Sequence, residues 1–228
     1  MSYDNYSEQD VLALYEDAEF YDHEFALRND EIPFYTLLLK DRCSVLEVAC
    51  GTGRITIPLK NSGINISGTD ISPQMISRAK TRAEKVGLDI KYSVENAMQT
   101  TGRYDTIFIA TNAFQHFTQT RDATDFLKSA GESLTDDGQL IVDLQIPDIK
   151  KLSRDPSVAR HYKTFELKGR DVNAEIKGKY EPLSQLYMFV IQYYMDHKCI
   201  VTIQLTSRIR HFGVRKWTHM RICSHFLP

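Results

Sequence analysis

The chain has 228 residues, 42% hydrophobic and 25% charged, with a formal net charge of −2. This length buries one good core plus an elaboration, and the near-neutral charge argues against a polyanionic partner. No apolar run approaches the ~20 residues of a membrane span, and the start from Ser2 to Asp10 is polar and acidic, so a soluble, cytoplasmic protein without a membrane segment is expected.

Cys43, Cys50, Cys199 and Cys223 form no Cys-x-x-Cys pair and no zinc-like spacing with histidines, and are read as free thiols with no metal. Charge is uneven along the chain. Residues 1–31 hold ten acidic residues against one basic residue, Arg28, while residues 197–228 hold six basic residues and no acidic one. In that tail Arg208, Arg210, Arg215, Lys216 and Arg221 are interleaved with Ile209, Phe212, Val214 and Trp217, the texture of a half-buried segment. A nucleic-acid footprint is the weaker reading.

In chain order, Glu8 to about Arg28 predicts a helix with an apolar, unusually aromatic side, and Asp30 to about Lys40 a second helix with Pro33 in its first turn. Tyr15, Tyr21 and Tyr35 are candidates for a substrate cavity beneath these helices, or equally for core positions. The stretch Val45-Leu46-Glu47-Val48-Ala49-Cys50-Gly51-Thr52-Gly53-Arg54 reads as a buried strand, a tight glycine loop and a helix N-terminus, a ligand seat. A dinucleotide fingerprint needs a third glycine where Thr56 stands, and Glu47 would repel a pyrophosphate but attract an ammonium. Helix continues to Asn61, beginning late enough for Pro58 to be tolerated, and Gly63 closes it.

Ile64 to Thr69 predicts the second strand, with Asp70 at its end, seventeen positions beyond Gly53, where a carboxylate reaches a nucleoside ribose. Ser72-Pro73 starts the next helix, which carries Met75, Ile76, Ala79 and Ala83 and closes at Gly87. The first glycine stretch resembles motif I, and Gly68-Thr69-Asp70-Ile71-Ser72-Pro73-Gln74-Met75 resembles motif II, of the class I S-adenosylmethionine-dependent methyltransferases. The resemblance runs from about Tyr21 to His211 and is strongest from Val45 to Gln145.

Leu88 to Val94 predicts a third strand. It is followed by Glu95-Asn96-Ala97, where relatives often have aspartate at the position of Asn96. Tyr104 to Ala110 predicts a fourth strand, and Thr111-Asn112-Ala113-Phe114-Gln115-His116-Phe117 the loop at its carboxyl end, where an α/β sheet places ligands. A helix over Asp122 to Leu134, a turn at Asp136-Asp137-Gly138 and a strand over Gln139 to Gln145 complete the alternation. The implied fold class is α/β, a Rossmann-like doubly wound, mostly parallel sheet with N-terminal helices and a C-terminal antiparallel meander.

The meander is predicted at Tyr162 to Leu167, Val172 to Tyr180, Leu186 to Tyr194 and Ile200 to His211, from its period-two alternation. Residues 1–40 then form a helical cap, 41–147 the cofactor-binding core, and 148–228 a strand extension acting as lid, dimerisation surface or both, all in one compact unit. Gly213 to Pro228 supplies neither the acidic helix nor the Gly-Phe turn with which the family usually closes.

The resemblance implies a seat for S-adenosylmethionine made of Glu47, Ala49, Cys50, Gly51, Gly53, Arg54, Asp70, Ile71, Met75, Asn96, Ala97 and Ala110, with Tyr21 from the cap. Ile71 and Met75 would flank the adenine. Arg54 would pair with the cofactor carboxylate or face solvent, and Cys50 reads as a small filler beside the cofactor. His116 is the first candidate general base, with Glu16 and Tyr21 as alternatives. The expected reaction is methyl transfer to a small molecule, an amine before a hydroxyl, because the acidic, tyrosine-rich N-terminus suits a cationic acceptor. The alternatives are a non-catalytic protein that binds S-adenosylmethionine and a nucleic-acid methyltransferase that uses the basic tail.

Overall fold

The computed structural model describes residues 17–208 and the backbone of strand Met220–Cys223. Glu16, Tyr15, Arg210, Arg215 and Lys216 lie outside the described residues. The elements run α1 (Ala18–Glu24), α2 (Glu31–Leu39), β1 (Val45–Val48), α3 (Thr56–Asn61), β2 (Ile66–Asp70), α4 (Pro73–Lys85), β3 (Tyr92–Val94), β4 (Tyr104–Ile109), α5 (Thr120–Ser133), β5 (Leu134–Asp143) and α6 (Ile149–Leu152). Four long strands follow, β6 (Arg160–Leu167), β7 (Arg170–Glu181), β8 (Leu186–Met195) and β9 (Lys198–Arg208), and then β10 (Met220–Cys223).

The first sheet is parallel, in the order β10-β5-β4-β1-β2-β3. Its central strands are apolar on both faces because both faces are covered. Leu46, Val48, Ile107 and Ile109 pack with Phe126 and Ala130 of α5, whereas Val45 and Phe108 pack with Tyr35 and Leu39 of α2 and Leu59 of α3. Such two-sided packing sets the carboxyl ends of β1, β2 and β4 side by side. Among the described residues no helix is long and apolar enough to cross a membrane.

Sequence and structure differ locally. Helix α3 begins at Thr56, so Pro58 falls in its first turn, where the missing N–H costs little. The expected turn at Asp136–Gly138 is absorbed as an irregularity within β5: Tyr104 pairs with Leu134 but Thr106 pairs with Gln139. The sheet also gains a sixth strand, β10, parallel to β5 with Met220 opposite Leu140.

The second sheet is the expected antiparallel meander, β6-β7-β8-β9. Its alternation puts Phe165, Val172, Ala174, Ile191, Tyr193, Ile203 and Leu205 on one face, packed with Phe20 of α1. The Phe20 ring meets Phe165 and Tyr193 edge-on, at centroid distances of 5.4 and 5.0 Å. Helix α1 therefore lies between the meander and the glycine loop.

Candidate active site

The loop after β1 carries backbone that only a few residues tolerate. Ala49, Gly51 and Gly53 all have positive φ, at 56°, 55° and 75°, which glycine accepts without strain and alanine does not. Asp70 holds this loop from the neighbouring strand. Its Oδ2 accepts from Gly51 N at 2.8 Å and its Oδ1 from Ser72 N at 2.9 Å. Each oxygen keeps a lone pair for a further donor. Ser72 in turn caps α4 by accepting from Met75 N.

Glu47 is 3% exposed on β1. Its Oε2 accepts from the Thr56 hydroxyl, and the carboxyl also accepts from the Thr56 backbone. Burial pushes this carboxyl up to about 8. A buried carboxyl near one end of the loop and a half-buried carboxylate at the other form two acidic posts. That donor set fits S-adenosylmethionine, with Glu47 suited to the ammonium and Asp70 to the ribose hydroxyls.

Asn96 Oδ1 accepts from Met98 N at 3.0 Å, capping the 3₁₀ turn Ala97–Gln99, and its Nδ2 adds two donors. Ile71 is 42% exposed, and Gly51, Asn96 and Ala97 are half-buried, open to a ligand. Two expectations need correction. Met75 is fully buried, with no face open to the adenine. Arg54 is neither solvent-facing nor available to the cofactor carboxylate: its Nη2 pairs with Glu31 Oε1 at 2.6 Å, its Nη1 donates to Arg28 O at 2.6 Å, and it also bonds the Tyr21 hydroxyl. Cys50 and Ala110 are buried, at 4% and 3% exposure, and burial raises the Cys50 thiol far above its usual range.

Helix α1 is fastened over this seat. Asp22 bridges Arg78 Nε at 2.6 Å and Arg82 Nη1 at 2.8 Å, and the same Arg82 nitrogen donates to Thr52 Oγ1 at 2.7 Å. One guanidinium thus joins α1, α4 and the glycine loop. Tyr21 stands above Gly51, its hydroxyl 3.9 Å from where a Cβ on that glycine would lie. Burial raises the Tyr21 phenol, so it serves as a donor rather than a base at neutral pH.

The loop after β4 is strained. Thr111 and Asn112 are consecutive left-handed residues, at φ 52° and 63°, and Asp143 Oδ2 holds the first by accepting from Thr111 N at 3.0 Å. The buried Gln115 ties the loop onward, its Oε1 accepting from Gln145 N and its Nε2 donating to Arg208 O. His116 ends the 3₁₀ turn Ala113–His116, and burial lowers it to about 4, leaving a neutral imidazole.

Sequence reasoning missed Asp22, Arg82, Asp143, Glu24 and Lys163. Two of these left a signal: Glu24 is four residues after Phe20 on one helix face, and Lys163 is two before Phe165 on one strand face, each a charge within an apolar pattern.

A family model described as a methyltransferase domain matches residues 45–138, from β1 through the irregular start of β5. That match covers less than half of the chain, and residues 1–44 and 139–228 lie outside it. A putative methyltransferase of Bacillus subtilis (strain 168), YqeM, is 24% identical over 137 residues, 56% of this chain and 56% of its own length. The chain thus spans about half the length of that relative. Among solved structures, the fold matches an S-adenosylmethionine-dependent methyltransferase from Clostridium acetobutylicum ATCC 824 (TM-score 0.65, 18% identity, 87% of this chain and 82% of the other). It also matches the sugar N-methyltransferase KedS8 from Streptoalloteichus sp ATCC 53650 (TM-score 0.68, 16% identity, 92% and 83%). The matched residues 45–138 include the glycine loop, Asp70 and Asn96, and α1 packs between that loop and the meander.

Proposed function

We propose that this chain binds S-adenosylmethionine and transfers its methyl group to a small-molecule acceptor, an amine nitrogen before a hydroxyl oxygen. The observation that carries the reading is the pair of carboxyl groups flanking the glycine loop, the buried Glu47 held by Thr56 and Asp70 bonded to Gly51 N. The sugar N-methyltransferase KedS8 among the structural matches favours nitrogen.

When bound, the cofactor supplies a methyl group on a positive sulfur, open to in-line attack by a lone pair. The chain's part is placement. Glu47 holds the ammonium, Asp70 the ribose, and the exposed Ile71 and half-buried Ala97 the adenine. Tyr21 closes the seat above Gly51 and excludes water. Holding a nucleophile in line with the methyl contributes of the order of 7–11 kcal/mol. His116, neutral at physiological pH, takes the proton that the acceptor loses.

The test is calorimetric titration of S-adenosylmethionine into the wild-type chain and the Asp70→Ala variant. Micromolar binding that the substitution weakens roughly ten- to a hundredfold is expected, the value of a charge-assisted hydrogen bond. A folded wild-type chain that fails to bind removes the reading.

A further inference from the structure

Between α1 and β6 the carboxylates lie inside and the cations outside. The side chains of Glu24 and Glu31 are 2% and 8% exposed, while those of their partners Lys163 and Arg28 are 22% and 30% exposed. Lys163 Nζ is 3.1 Å from Glu24 Oε1, and Arg28 Nε is 3.3 Å from Glu31 Oε1. Glu24 Oε1 also accepts from the buried Tyr193 hydroxyl at 3.0 Å. Glu24 is thus engaged through Oε1, while its Oε2 is buried with no hydrogen-bond partner among the described residues. Among the described residues, nothing else accepts from Lys163 Nζ or from the terminal nitrogens of Arg28.

A β-bulge between His161 and Lys163 breaks the alternation of β6, so that Tyr162 and Lys163 face one side. Lys163 Nζ lies 3.9 Å from the centroid of Phe25 and 4.7 Å from that of Tyr162. Phe25 in turn packs on Tyr21 at 4.6 Å, and Tyr21 covers Gly51. The cationic edge therefore adjoins the cofactor loop through two aromatic rings.

Arg28, Arg54 and Lys163 face the carboxylates of Glu24 and Glu31, which leaves one positive charge in excess. A monoanion held by Arg28 and Lys163 neutralises that excess. A cation would sit against an ammonium and a guanidinium, and a dianion would overcompensate. Of the acidic residues at the N-terminus, Asp22, Glu24 and Glu31 are each paired with Arg or Lys.

We propose that Arg28 and Lys163, with the Tyr162 phenol beside them, form a carboxylate-binding subsite that holds the methyl acceptor by its acid group. The proposal rests on the methyltransferase reading and narrows it: the acceptor carries both the nucleophile and a carboxylate. Arg28 offers a planar fork for the two oxygens, and Lys163 a point charge set by Glu24 and the rings.

The experiment titrates benzoate, benzamide, benzylamine and inorganic phosphate calorimetrically into the whole chain saturated with S-adenosylhomocysteine. Benzoate should bind in the millimolar range, with benzamide and benzylamine at least about tenfold weaker. Arg28→Gln and Lys163→Gln should each weaken benzoate about tenfold or more, and Lys163→Arg should retain most of the affinity. Arg28→Gln is the safer variant for folding, because Arg54 bonds the backbone carbonyl of Arg28 and not its side chain. The subsite is overturned by absent benzoate binding, by equal binding of benzamide, by tighter binding of phosphate than of benzoate, or by variants that bind benzoate as the wild type does. Loss of benzoate with S-adenosylhomocysteine still bound removes the subsite alone. Failure of S-adenosylhomocysteine to bind removes the cofactor reading, and the subsite's role with it.

Discussion

Arg54 Nη2 lies 2.6 Å from Glu31 Oε1, and both side chains are less than a tenth exposed. This pair joins the glycine loop to the start of α2, while the other terminal nitrogen of Arg54 holds the Arg28 carbonyl. Removing one partner of a buried pair leaves an uncompensated charge, which costs far more than the intact pair contributes. Glu31→Gln should destabilise the chain by about 3 kcal/mol, at the lower end because glutamine still accepts a hydrogen bond. At this chain length that is a fall of roughly 6–12 °C in Tm, read by thermal denaturation. A shift under about 2 °C would mean that Arg54 relaxes to water and that the tie is dispensable.

Glu47 makes both stability and cofactor uptake depend on pH. Burial raises its carboxyl from the ordinary 4.5 to about 8. Because the folded value is the higher, the folded chain holds a proton that the unfolded chain releases. The stability from this group is fully present below about pH 4.5 and is lost as pH rises toward 8. Glu47→Gln should flatten that decline, so that the variant gains on the wild type as pH rises. Pairing with an ammonium needs the ionised carboxylate, so binding releases a proton and affinity should climb to about pH 8, by up to about tenfold per pH unit. It should fall again as the ligand's own α-ammonium, near 8, is lost. Calorimetry in buffers of different ionisation enthalpy reads the proton directly, and an unchanged enthalpy across buffers at pH 7 would show that Glu47 is already ionised.

Thr111 is β-branched and sits at φ 52°, where such residues are rare. Asp143 imposes the conformation by accepting its N–H. Thr111→Asn keeps that N–H and places a residue that tolerates the left-handed region. A gain of about 1 kcal/mol, or roughly 2–4 °C in Tm, is expected. Asp143→Ala should reverse the sign by releasing the loop.

Most of the fold was legible because its signals are local. The run into the glycine loop, Asp70 followed by Ser72-Pro73, and the period-two strands after Gly169 each announce themselves within a few residues. The ties across the seat do not. Glu31 is 23 positions from Arg54, and Asp22 is 56 and 60 from Arg78 and Arg82, so no window of sequence pairs them. Arg54 was misread for that reason: beside a glycine loop an arginine looks like a ligand contact until its buried partner is in view. Met75 was misread because motif spacing fixes its place on α4 but not which face the helix turns to the core. Asp136–Gly138 looks like a turn in any short window, yet β4 on one side draws it into the strand span.

His116 gives the sharpest kinetic prediction. Burial lowers it from 6.5 to about 4, so below pH 6.5 the unfolded chain binds a proton that the folded chain refuses. Its contribution to stability is present above pH 6.5 and is lost as pH falls toward 4. In catalysis the same shift moves the acid limb of kcat/KM assigned to His116 from the ordinary histidine range down to about 4. Turnover should therefore show no histidine limb between pH 5.5 and 7, and His116→Ala should lower kcat by about 10²–10⁴ if the imidazole takes the acceptor's proton. A drop of less than about threefold with unchanged KM would make His116 a packing residue of the Ala113–His116 turn. The proton would then need no protein base, because a neutral amine that accepts the methyl becomes an ammonium, which can carry its proton out of the site and exchange it with water.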